Sequence, residues 1–203
     1  MSADPVNNQS PQLVMCREQL SELPGLCPPG EFCVRAFQEG DAVWWDRILS
    51  EAFGWVSAEG GNFEMRMRSD PSFRPERVWF VCRGDEPVGS ASAWPGLEYG
   101  QEAGVLHYVG VIKRELGHGL GSLVSLAALH QMVREQRTHA LLRTDDCRLP
   151  AIRLYLKLGF APFLIHENQR QRWHDIFQEM QRTDLVTVFD RQLEGPIEWP
   201  RGA

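Results

Sequence analysis

The sequence is short of several features that would point to a known class of chemistry. None of its five cysteines, Cys16, Cys27, Cys33, Cys82 and Cys147, is spaced C-x-x-C from another, so zinc-ribbon and thioredoxin-type readings have no support and no metal site is expected. The cysteine count is odd and the chain of 203 residues is long enough to bury a core without staples, so free thiols in a reducing cytoplasm are expected. No apolar run reaches the roughly 18 residues that suggest a membrane span. Met1 to Gln12 is polar, with neither a basic start nor an apolar stretch, so no signal peptide is expected. Excess positive charge is also missing. The formal charge is −6 and the pI about 5.5, which argues against a nucleic-acid partner. There is no internal repeat, no low-complexity tract and no Gly-x-x-x-x-Gly-Lys-Ser/Thr phosphate loop.

The patterning that is present reads as one mixed α/β domain. Residues 1 to about 30 look like an arm docked through Leu13-Val14-Met15, Leu20, Leu23 and Leu26, between turn formers such as Asp4-Pro5 and Pro28-Pro29-Gly30. Strands are expected at 32–37, 78–83, 87–94, 105–112, 140–144, 163–165 and 185–189. Helices are expected from Asp41, a plausible N-cap, to a stop at Gly54, then at 120–135, at 150–158 and at 172–180. Residues 55–77 read as a loop with a short helix near 63–68, and 95–104 as a second loop. Long loops of this kind often carry function.

The most informative stretch joins the strand at 105–112 to the helix at 120. Gly117, Gly119 and Gly121 alternate there, with Lys113, Arg114 and His118 beside them. Glycines let successive N–H groups point into one concavity, and a helix N-terminus adds free donors and partial positive charge. A phosphate or pyrophosphate is the expected guest. A dinucleotide fingerprint fits poorly: its third glycine would come one residue early, and Lys113 to Leu116 separate the loop from the strand. Thr144-Asp145-Asp146, where a ribose-binding acid would sit, keeps that alternative in view.

Two segments together carry a family resemblance. Leu116-Gly117-His118-Gly119-Leu120-Gly121 resembles the acyl-CoA pyrophosphate loop of the GNAT superfamily of N-acetyltransferases. Ala151 to Phe160, with Leu154-Tyr155 and Gly159-Phe160, resembles that family's later Asn-x-x-Ala-x-x-Leu-Tyr-x-x-x-Gly-Phe element. The resemblance implies a mostly antiparallel mixed sheet, splayed at the acyl-CoA site and flanked by helices. It also implies an acetyl-CoA-dependent transfer of an acetyl group to a primary amine. Val109, Gly110 and Val111 would hold the pantetheine arm by their backbone. Leu116, Gly117, His118, Gly119, Leu120, Gly121 and Ser122 would hold the pyrophosphate. Tyr155 would be the acid toward the departing thiolate. His107 lies at a register where one branch of the family has a histidine proposed as base or relay. Other candidate bases are Glu51, Glu59, Glu64, Glu98 and Glu102.

Two departures stand out on this reading. Leu116 is taken at the position of the family's Arg or Gln, with Arg114 or Lys113 as substitutes, and Arg148 stands in place of the family's Asn. They motivate the rival reading, a non-catalytic acyl-CoA-binding module acting as a sensor or assembly partner. The acceptor, a small-molecule or peptide amine, would meet residues 44–77 and 95–104, where Trp44, Trp45, Trp55 and Phe63 line a pocket or fill the core. Arg134 to Arg143 reads as a solvated helix end. A homodimer is left open.

Overall fold

A computed structural model describes residues 11–54 and 61–197. Expectations placed on Asp4-Pro5, Trp55 and Glu59 lie outside these residues. The strands are β1 (Leu13–Arg17), β2 (Phe32–Ala36), β3 (Val78–Arg83), β4 (Glu86–Pro95), β5 (Ala103–Val111), β6 (His139–Thr144) and β7 (Ala161–Phe163). They form one sheet in the order β2-β3-β4-β5-β6-β1-β7, antiparallel everywhere except between β5 and β6. The helices are α1 (Ala42–Phe53), α2 (Leu120–Arg134), α3 (Leu149–Lys157), α4 (Gln169–Glu179), α5 (Asp184–Val188) and α6 (Asp190–Leu193).

Neighbouring side chains of β5 point to opposite faces, and each face has its helix. A Cβ on Gly110 would meet Leu49 and Ala52 of α1 at 2.9 and 3.0 Å. The adjacent Val111 instead approaches Gly121 of α2. The sheet is therefore sandwiched, with Trp45, Ile48 and Leu49 covering one side and Leu120, Leu123, Val124 and Ala128 the other. Burial of such side chains is worth about 1.5–3 kcal/mol each relative to exposure. The arm contributes β1 directly to the sheet: Leu13–Arg17 lies between β6 and β7 and is buried over its first three residues.

Two expectations need correction. The run at 185–189 is not a strand but helix α5 with the turn that follows it. Its β-branched residues favour a strand, yet Leu185, Val186 and Phe189 turn inward while Thr187 and Val188 face solvent. That spacing is helical, and it lets Phe189 stack on Phe177 with ring centroids 6.0 Å apart. The strand expected at 163–165 lies two residues earlier, because Ala161 and Phe163 pair with Cys16 and Val14 while Leu164 drops into the core. Asp41 stands at the start of α1, but its carboxylate does not cap the helix. It accepts from Arg35 at 2.5 and 2.9 Å and from the Gln38 N–H at 2.7 Å. The short helix near 63–68 is a single wide turn at Glu64–Arg68.

Candidate acyl-CoA site

The site begins where two strands part. β5 and β6 pair only at Ala103↔His139, Gly104↔Ala140 and Val105↔Leu141. Beyond that point β6 pairs with β1 out to Thr144, and no described strand lies beside Leu106 to Val111 on that side. The backbone of Val109, Gly110 and Val111 therefore borders an opening. A bulge accompanies the divergence. Ser90↔Gly110 and Ser92↔His107 place three β5 steps against two of β4, and Tyr108 takes φ 49°, the left-handed region. Gly110 carries no side chain because α1 leaves no room for one.

The turn after β5 makes the anion cradle. Ile112 donates to the Val88 carbonyl, and the Lys113 N–H donates to Glu51 Oε2 at 3.1 Å. Gly117 and Gly119 have φ of 89° and 74°, with open space where a Cβ would stand. Helix α2 follows, and the Leu123 N–H donates to the Gly119 carbonyl. The N–H groups of Gly117, Gly119, Leu120, Gly121 and Ser122 find no acceptor among the described residues. Five free donors at and just before a helix N-terminus fit a pyrophosphate. Gly121 serves a different end: a Cβ there would sit 2.8 Å from Leu154 Cδ1, so it lets α2 and α3 approach closely.

The side chains of the loop are largely committed elsewhere. Glu115 is buried and gathers Arg83 at 2.7 Å, Arg114 at 3.5 Å and His118 at 3.8 Å. Arg83, with its hydrogen bond, holds the Glu115 carboxyl below the usual range. Arg114 also pairs with Glu86 at 2.5 Å, so it turns back from the cradle. Leu116 is 62% exposed and touches none of this. Its assignment is corrected by counting. In the family's form, Arg/Gln-x-x-Gly-x-Gly/Ala, the cation stands three before the first glycine, and three before Gly117 is Arg114. Buried Glu115, a carboxylate between basic residues, went unnoticed in the sequence; its isolation there was the available signal.

On the far wall, α3 presents Tyr155 and Arg148. The Tyr155 ring is 7% exposed, and burial pushes its phenol up to about 12. Its hydroxyl makes no hydrogen bond among the described residues. Arg148 precedes α3, pairs with Asp145 at 3.4 Å and lies over the Phe53 ring at 4.0 Å. Phe53 ends α1, which packs on β5, whereas Arg148 follows β6. Their contact thus bridges the two diverging strands.

His107 lies on β5 within 3.7 Å of the Tyr108 ring, and burial, assisted by Arg143, pushes its imidazole down to about 4. The described glutamates are occupied: Glu51 by Lys113 N–H, Glu64 by Arg68, Glu98 by Arg143 and Glu102 by Thr138. Trp45 and Phe63 are fully buried with Phe37, Phe73 and Tyr108, so they build the core under α1. Trp44 is half-buried beneath Arg47. Asp46, also missed from the sequence, accepts the Phe63 N–H at 2.8 Å and ties that segment to α1. The cations expected at a solvated helix end are paired as well, Arg134 over Trp79 and Arg143 with Glu98. A cleft of about 1100 Å³ by β1 and β7 shares no residue with the cradle.

Residues 31–160 match the model of the acetyltransferase (GNAT) family. The chain belongs to that family. Curated relatives include the mycothiol acetyltransferase of Nocardioides sp., 31% identical over 170 residues, covering 73% of this chain and 56% of that protein. The mycothiol acetyltransferase of Thermomonospora curvata is 28% identical over 151 residues, covering 72% and 50%. The chain thus spans about half the length of the curated relatives it matches. Among solved structures, the GCN5-related N-acetyltransferase from Sphaerobacter thermophilus aligns with a TM-score of 0.59 at 22% identity, over 75% of this chain and 49% of that one. That likeness shows the same fold.

Proposed function

We propose that this chain is an acetyl-CoA-dependent N-acetyltransferase that moves the acetyl group to a primary amine by direct attack. The observation that carries the reading is the pairing of five unpartnered N–H groups between Gly117 and Ser122 with an open strand edge at Val109–Val111. Pyrophosphate on the cradle leads the pantetheine along β5, and a backbone N–H there polarises the thioester carbonyl. Tyr155 is fully protonated at pH 7. With its phenol near 12, it acts as a hydrogen-bond donor that stabilises the developing thiolate and passes on a proton as the thiol leaves. His107, uncharged at neutral pH, offers a lone pair to the incoming amine. With a pKa near 4 it orients and relays rather than stores a proton.

Because curated relatives are named mycothiol acetyltransferases, amines related to mycothiol are the first acceptors to try. A cytoplasmic setting fits the five free thiols. Among the described residues, no helix is long and apolar enough to cross a membrane. The test is release of free coenzyme A thiol from acetyl-CoA in the presence of an amine panel. Amine-dependent release that collapses in Tyr155→Phe supports the reading. Tight acetyl-CoA binding without transfer to any amine would replace it with the non-catalytic binding module.

A further inference from the structure

Two of the five cysteines stand directly opposite one another. In the antiparallel β2–β3 pair, Cys33 faces Cys82, and the Cys33 thiol donates to the nearby Gly84 carbonyl at 3.8 Å. Opposed residues in such a ladder have Cα atoms roughly 4.5 or 5.5 Å apart. A disulfide needs roughly 4.4–6.8 Å. On its other side, the register of β3 against β4 shifts between Val81 and Cys82. Cys33 lies exposed on the sheet's edge strand, whereas Cys82 is 1% exposed. The remaining cysteines, Cys16, Cys27 and Cys147, face no cysteine in any described strand pair.

The pair also lies one residue from the cradle's supports. Phe32 precedes Cys33, and its ring stands 5.9 Å from His118. Arg83 follows Cys82, covers the Phe32 ring at 4.8 Å and binds the buried Glu115 at 2.7 Å. Any movement of β2 against β3 at this point is therefore passed to both sides of the turn 115–118.

We propose that Cys33 and Cys82 form a reversible disulfide that weakens acyl-CoA binding by displacing the Phe32–His118 and Arg83–Glu115 contacts beneath the glycine loop. The oxidant class is a low-molecular-weight disulfide. The Cys33 thiolate attacks one of its sulfurs, the S–S bond breaks, and one thiol leaves with a proton. Cys82 then attacks the mixed disulfide at the Cys33 sulfur and expels the second thiol. The protein pair loses two electrons and two protons, and the small disulfide gains both as two thiols. Burial pushes the Cys82 thiol up to about 11, so the exposed Cys33 reacts first and Cys82 resolves.

The affinity part of this inference rests on the acyl-CoA reading, so the test separates the two. The full chain carrying Cys27→Ser is incubated with oxidised glutathione. Digestion without reductant then shows whether peptide 18–35 is joined to peptide 78–83. Acetyl-CoA binding is titrated before oxidation, after it, and after added dithiothreitol. The expected result is the joined peptide, a severalfold loss of acetyl-CoA affinity, and full recovery on reduction. Adding Cys33→Ser should keep the reduced-state affinity throughout. Glutathione retained on Cys33 without the joined peptide, or a joined peptide with unchanged affinity, would overturn the proposal. If the reduced protein binds no acetyl-CoA, the acyl-CoA reading falls instead. The peptide map then still decides the bridge, and amide exchange over 112–123 decides whether it loosens the loop.

Discussion

The two walls set against β5, the loop at its end and the core under α1, are built by different means. At the loop between β5 and α2, the groups left free are backbone N–H groups, and Gly117 and Gly119 adopt the positive φ that the turn needs. Beneath α1, the same strand is covered by side chains, Trp45, Phe63 and Tyr108, packed edge to face. The first wall needs particular dihedral angles at a few positions. The second needs only volume and shape, which many residue combinations supply. The first teaches that outward-facing backbone groups leave nearby side chains free for other partners, as Arg114, paired with Glu86, shows. The other teaches that aromatic residues, which the sequence left open as pocket or core, can be used up in the core under α1.

Substitutions should separate the walls in a definite order of effect. Gly119→Glu should weaken acetyl-CoA binding by about a hundredfold or more, because it forces a side chain into φ 74° and sets a carboxylate against phosphate. Its melting temperature should fall only slightly. Tyr155→Phe should lower kcat by about a hundredfold while leaving acetyl-CoA affinity near the wild-type value, read from steady-state kinetics beside binding titration. A matching loss of affinity would make Tyr155 a packing residue. Gly110→Val should cost about 1–3 kcal/mol of stability in denaturant unfolding, since α1 has no room for its Cβ.

A pH series addresses His107. Its folded pKa, about 4, lies below the ordinary value of 6.5, so the unfolded chain binds the proton first as pH falls. This group leaves stability unchanged above about 6.5 and lowers it progressively between 6.5 and 4. His107→Asn should flatten that part of the unfolding profile, and no step in activity near pH 6.5 should trace to this residue. The smallest effect is expected at Leu116→Ala, within about twofold in acetyl-CoA affinity, because an exposed side chain without partners contributes little.

The turn at Gly117 and Gly119 and the place of Tyr155 on a helix were legible in the sequence because their requirements are local. Positive-φ glycines followed by an apolar helix leave a pattern readable over about ten residues, as does the Leu154-Tyr155 turn. Other features depended on distant partners. Phe53 meets Arg148 and Glu115 meets Arg83 only after the sheet forms. The insertion of β1 between β6 and β7 required pairing across more than a hundred residues. At 185–189, propensity pointed to a strand, and packing against Phe177 made a helix. The assignment of Leu116 to the family's cation was a matter of register, corrected by counting back from Gly117 to Arg114.

The central claim is that the cradle binds acetyl-CoA through its backbone. Calorimetric titration of the reduced wild-type chain with acetyl-CoA, beside Gly119→Glu, tests it most directly. Saturable binding by the wild type, absent from a folded Gly119→Glu, is the predicted result. Equal binding by both, or no heat from the wild type, would contradict it.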